Sequence, residues 1–154
     1  MLKSVKSIIY RLDRELITAM KIASMPLARF AIFIVYAWFG ILKVIGASPA
    51  NPIVKALLEK PLPFLTFEQF IITFGLFEVA IGLLFLFPKL DRLAVLLLVP
   101  HLITTVMPLL LLPGTTWQGF LVPTIEGQYI IKNILIVALV FSLAAHLKPL
   151  EERD

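Results

Sequence analysis

Four stretches of mainly apolar residues, near 26–46, 66–87, 90–112 and 127–147, dominate this chain. About 20 helical residues cross the hydrocarbon core of a bilayer. Within lipid every backbone N–H and C=O must find a protein partner, and a helix supplies all of them inside its own segment. Runs of this length without period-2 alternation predict an all-α integral membrane protein built as a four-helix bundle. The composition agrees. Of 154 residues 60% are hydrophobic and 16% charged, whereas a soluble domain has about half and one quarter.

Local signals set the expected ends. "ASMP" places Ser24 as a cap and Pro26 in the first turn of the first span, where a missing N–H costs little. "TFEQ" reads as a capping box with Thr66 at the N-cap and Gln69 at N3. Pro100 and Pro108 interrupt the third span, and each removes a backbone bond, so a bend or a local break is expected there. "GTTWQGFLVPTIEGQ" before the fourth span reads as an interfacial loop. Between the first two spans a short helix is predicted, capped by Asn51, opened by Pro52 and stopped by Pro61.

Residues 1–22 differ. Leu2, Val5, Ile8, Ile9, Leu12, Leu16, Ile17 and Met20 recur at helical spacing among Lys3, Lys6, Arg11, Arg14 and Lys21. This segment is too charged to span and lacks the apolar run of a signal peptide. An amphipathic helix lying at the membrane interface fits it, with a cytosolic tail as the alternative. With the N-terminus inside, Lys3, Lys6, Arg11, Arg14, Lys21, Arg29, Lys89, Arg92, Lys148 and Arg153 lie on one side, against Lys43, Lys55, Lys60 and Lys132 on the other. The excess predicts both termini in the cytoplasm, with 148–154 as a cytoplasmic tail.

The polar residues inside the spans point to function, because burying them in lipid is costly. Arg29, Phe33, Tyr36, Gly40 and Lys43 form one stripe on the first span, and Gly75, Glu78 and Gly82 share a face of the second. The glycines Gly40, Gly75 and Gly82 are predicted to let helices approach closely. His101, Thr104, Thr105 and Pro108 lie along the third span, and Tyr129, Lys132 and Asn133 near the outer end of the fourth. At 1.5 Å per residue, Glu78 and His101 fall within about 3 Å of the midplane, and Lys43 and Lys132 roughly 7–11 Å above it. These groups trace a polar path from the outer surface to the middle. Tyr36, Trp38, Lys43, Glu78, His101, Tyr129 and Lys132 are therefore the candidate ligand-binding residues. Simpler roles exist for some: Lys43 and Lys132 can snorkel outward, and His101 can bond the carbonyl freed by Pro100. Arg29, Arg92 and His146 read as interface anchors. Glu78 is too deep to snorkel, so it must be neutral, paired or wetted.

Much chemistry is excluded. No cysteine is present, which rules out disulfides, thiolate metal sites and dithiol chemistry. There is no Gly-rich phosphate loop, nucleophile elbow or histidine pair at ligand spacing, so no catalytic residue is assigned, no metal is expected, and nothing points to nucleic acid. Midplane ionisable residues beside proline-broken helices are also a feature of proton-coupled transporters, although four spans show no inverted repeat.

"RFAIFIVYAWFGILK" (Arg29–Lys43), Ser48-Pro49, "GLFEVAIGLL" (Gly75–Leu84), "TTVMPL" (Thr104–Leu109) and "GQYIIKN" (Gly127–Asn133), in that order, resemble the blocks of DoxX-like membrane proteins, and most closely the YkgB-like branch. The likeness spans about 26–147. It implies a four-helix fold in a bacterial inner membrane, with Arg29, Trp38, Gly40, Lys43, Glu78, Gly82 and Lys132 at matching positions. Relatives are linked to thiosulfate:quinone oxidoreductase subunits, to oxidative or chlorine stress, and to membrane chaperoning. The implied partners are therefore a quinone or lipid, a redox enzyme or other membrane subunit, the bilayer itself, and a second copy of the chain.

Overall fold

The structure, a computed structural model, describes residues 2–58 and 66–149. Pro61 and the end of the tail, 150–154, lie outside the described residues. Eight helices follow in order: α1 (Leu2–Val44), α2 (Asn51–Leu58), α3 (Phe67–Phe85), α4 (Asp91–Val106), α5 (Pro108–Leu111), α6 (Pro113–Thr116), α7 (Ile125–Lys132) and α8 (Ile134–Ala144). A 3₁₀ turn at Pro88–Leu90 precedes α4, and a two-stranded hairpin, β1 (Trp117–Gly119) and β2 (Val122–Pro123), separates α6 from α7. Among the described residues four helical segments are long and apolar enough to cross a membrane: Val5–Val44, Phe67–Phe85, Pro88–Leu111 and Ile125–Ala144. The chain is an all-α integral membrane protein.

The spans meet along one seam. Ile32 and Tyr36 from α1, Ile81 and Phe85 from α3, Ala94 and Leu98 from α4, and Ile136, Val140 and Leu143 from α8 form the buried core. The remaining apolar side chains, Ile34, Trp38, Leu76, Leu96 and Phe141 among them, face outward. In water this would be an aggregation-prone surface, but it is the surface lipid requires. α1 and α3 run antiparallel, since Gly40 meets Gly75 while Ala37 and Phe33 meet Gly82. A Cβ at Gly40 would lie 2.6 Å from the Gly75 carbonyl oxygen, and one at Gly75 would lie 2.6 Å from the Gly40 oxygen. Only glycine permits this crossing.

Several local expectations are corrected. Ser24 does not cap a helix: α1 runs unbroken from Leu2 to Val44 with Pro26 inside it, and the Ser24 hydroxyl donates to the Lys21 carbonyl at 3.1 Å. Pro26 removes only one backbone bond, which the long helix on both sides tolerates. Thr66 stands at the N-cap of α3, but its side chain makes no capping bond. Asn51 is the first residue of α2 and does not cap it. Ser48 organises that start instead, its Oγ accepting from the Ala50 N–H at 3.2 Å and its carbonyl from the Asn51 N–H at 3.1 Å. The break in the third span comes at Met107, just before Pro108, while Pro100 is accommodated within α4.

The loop before α7 carries the hairpin, which the sequence does not advertise. Trp117 pairs with Pro123 and Gly119 with Val122, and Leu121 turns the chain with φ of 56°. The Trp117 indole N–H donates to the Leu109 carbonyl at 2.9 Å, tying the hairpin to α5. Thr124 caps α7 by accepting from the Gly127 N–H at 3.1 Å.

Candidate functional site

The site follows from the antiparallel crossing of α1 and α3. Helical side chains lean toward the N-terminus of their own helix, so on antiparallel neighbours they lean toward each other. Lys43, three residues beyond Gly40, and Glu78, three beyond Gly75, meet in this way. Lys43 Nζ donates to Glu78 Oε2 at 2.5 Å. The other carboxylate oxygen, Oε1, lies 2.9 Å from His101 Nε2 on α4. The far side of that imidazole, Nδ1, is 3.3 Å from the Tyr36 hydroxyl of α1. Thus one chain of polar atoms, Tyr36–His101–Glu78–Lys43, stitches three spans together. All four residues are buried, at 4–6% exposure.

With Glu78 as a carboxylate and Lys43 as an ammonium, one proton arrangement satisfies every bond. A carboxylate can only accept, so Glu78 takes one bond from the Lys43 ammonium and one from an Nε2–H on His101. His101 Nδ1 is then the acceptor for the Tyr36 hydroxyl. This arrangement is neutral overall and leaves none of the four groups unpaired. Aromatic rings close it off from lipid. Phe74 stacks on His101 with ring centroids 5.0 Å apart, and the Lys43 ammonium sits 5.6 Å from the Phe74 centroid. One turn further along α4, Thr104 and Thr105 donate their hydroxyls to the His101 backbone carbonyl at 2.7 and 2.9 Å.

Lys43 therefore turns inward instead of snorkelling, and the His101 ring is bonded to side chains and not to the carbonyl freed by Pro100. The other candidates lie elsewhere. Trp38 is 63% exposed and shares an outward stripe with Ile34, Ile41 and Ile45. Tyr129 is 68% exposed, and the Lys132 ammonium sits 5.5 Å from its ring on the outer surface of α7. α7 buries Gly127 and Ile130; with 3.6 residues per turn, Tyr129 and Lys132 fall on its other side. The polar groups thus form a compact central cluster, not a path to the outer surface.

No family model, curated protein or solved structure matches this chain. Its chemistry is read from its own residues.

A second buried ion pair went unrecognised in the sequence. Asp91, the first residue of α4, is 4% exposed and faces Arg29 of α1. The guanidinium is bidentate: Nη1 donates to Oδ1 and Nη2 to Oδ2, the latter at 2.6 Å, while Nη1 also reaches the Phe85 carbonyl at 3.3 Å. Arg29 is a fixed member of the bundle and not a loose interface anchor. An acid in a first helical turn is ordinary, so Asp91 carried no distinguishing signal, and its partner stands 62 residues away.

Proposed function

We propose that the Tyr36–Lys43–Glu78–His101 cluster is a binding site for a small molecule dissolved in the membrane, a quinone head foremost, and that the protein serves a redox-stress or respiratory setting in a bacterial inner membrane. The observation behind this reading is three ionisable side chains from three spans in one hydrogen-bonded cluster. Well-packed apolar residues would give equal or better stability at such a place, so the presence of ionisable groups there favours a functional role. The chemistry suits the ligand. Lys43 keeps two ammonium hydrogens beyond the one on Glu78 and can donate to a quinone carbonyl oxygen, the single His101 N–H and Tyr36 O–H can do so by giving up their bonds within the cluster, and Glu78 retains lone pairs to accept from a quinol hydroxyl. Lys43 and His101 are both engaged by Glu78, so binding, or presentation of the ligand to a redox partner subunit, is preferred to catalysis by this chain alone.

The likeness to DoxX-like proteins supports this setting, and the cation count supports placing both termini in the cytoplasm. In that orientation Val5–Met20, whose apolar side chains are all exposed, meets the inner headgroups, with Pro26 as the place where α1 can bend.

Glu78→Gln and Lys43→Met are each expected to weaken quinone binding at least tenfold in nanodiscs, about 1.4 kcal/mol, with helical circular dichroism preserved. Wild-type affinity in both variants would refute the quinone site.

One observation favours a second reading, that of an assembly subunit. The four polar groups satisfy one another and the Gly40–Gly75 crossing is tight, as expected of a cluster whose task is to hold helices together. On that reading Glu78→Gln lowers thermal stability and recovery of a larger complex while binding of any quinone is unchanged.

A further inference from the structure

Four turns back along α1 from Lys43, at Arg29, the structure frames a half-open cavity of about 270 Å³ lined by Arg29, Lys89, Arg92, His146 and Lys148 together with Asp91. Its size approaches the lower end of small-molecule sites, roughly 300–1,000 Å³. The walls come from the 3₁₀ turn, the start of α4 and the segment after α8, where two spans end. That is headgroup depth.

The lining is cationic. Among the described residues its one carboxylate is Asp91, and both oxygens of Asp91 are already taken by Arg29. Arg92 is held in position because Nη2 donates to the Lys148 carbonyl, yet a guanidinium has five N–H donors and most remain for a ligand. His146 is fixed through Nδ1, 2.8 Å from the Ser142 carbonyl, so Nε2 is its free ring atom. The N-terminus of α4 opens here, and its N-cap residue, Leu90, supplies no side-chain acceptor. The positive end of the α4 dipole adds to the same field. Basic pockets between spans at a membrane face have the chemistry of lipid phosphate sites.

We infer that this cavity binds the phosphate of an anionic phospholipid headgroup, independently of the central cluster. Lys89 and Arg92 make the charged contacts, with Lys148 and His146 closing the far wall. A soluble phosphate carries the same chemistry, so the test separates the two sources.

The full-length protein is purified in detergent, and lipid retention is read by native mass spectrometry. Phosphatidylglycerol and phosphatidylcholine are supplied in equal amounts, and inorganic phosphate is titrated separately against thermal unfolding. Phosphatidylglycerol is expected to be retained at least fivefold over phosphatidylcholine. Lys89→Gln and Arg92→Gln should each reduce that preference at least twofold, whereas Lys55→Gln, which removes a charge from α2, should leave it intact. Lys89 is exposed, so its variant probes the site without a folding defect. Equal retention of the two lipids overturns the inference, as does an equal loss in the Lys55 control, which would mean bulk charge alone. Stabilisation by phosphate with no lipid preference would overturn the lipid source and leave a site for soluble phosphate.

Discussion

Gly75→Leu is expected to leave little folded protein. The added Cβ would already sit 2.6 Å from the Gly40 carbonyl oxygen and 3.0 Å from Lys43 Cβ. Both obstacles belong to the α1 backbone or its first side-chain atom, so no rotamer change relieves them and the helices must separate. Overpacking of this kind costs about 1–3 kcal/mol. Separation also pulls Lys43 from Glu78, now 2.5 Å apart, and breaking a buried pair costs roughly 3–5 kcal/mol. At a few degrees per kcal/mol for a chain of this size, thermal unfolding in detergent should fall on the order of 10 °C. Gly75→Ala is the milder probe and should show a smaller fall. Gly114→Ala, where a Cβ would meet nothing within 4 Å, should behave as wild type. A wild-type melting temperature for Gly75→Ala would mean that the α1–α3 crossing is looser than described.

Asp91→Ala should be nearly as damaging. It removes both carboxylate oxygens from an Arg29 side chain that is 12% exposed, leaving a largely buried cation without its partner. The expected loss is about 3–5 kcal/mol. Removing both charges is gentler than removing one, so an Arg29→Met/Asp91→Leu double variant should melt well above the single one. Thermal unfolding of the three proteins in one detergent measures the difference. A loss below about 0.5 kcal/mol for Asp91→Ala would place that pair in water.

The sequence carried the spans, since hydropathy alone delimits them, and it put Glu78 and His101 at one level, as their 2.9 Å contact requires. Spacing also placed Tyr36 and Lys43 on one stripe. That same spacing argues against Trp38, which falls off the stripe and in step with Ile34, Ile41 and Ile45. Its aromatic character suggested a lining role that its position does not support. Tyr129 and Lys132 were grouped with the site by depth, but depth is silent about rotation, and Gly127 and Ile130 claim the inner face of α7. Periodicity reports which face a residue occupies and not what stands opposite. For that reason the Arg29–Asp91 pair and the order Tyr36–His101–Glu78–Lys43 needed tertiary structure. The hairpin was hidden for a different reason: Phe120-Leu121 at its turn lacks the Asn-Gly signal, and Pro123 within β2 argues against a strand.

The most direct test of the central claim is photolabelling in liposomes with an azido-quinone, the adducts being mapped by mass spectrometry. The account predicts labels on Phe74–Glu78, on Tyr36, Gly40 and Lys43, and on His101–Thr105, suppressed by excess unlabelled quinone and strongly reduced in Glu78→Gln. Labels spread over Trp38, Leu96 and Phe141 on the lipid-facing surface, indifferent to competitor and to Glu78→Gln, would contradict it.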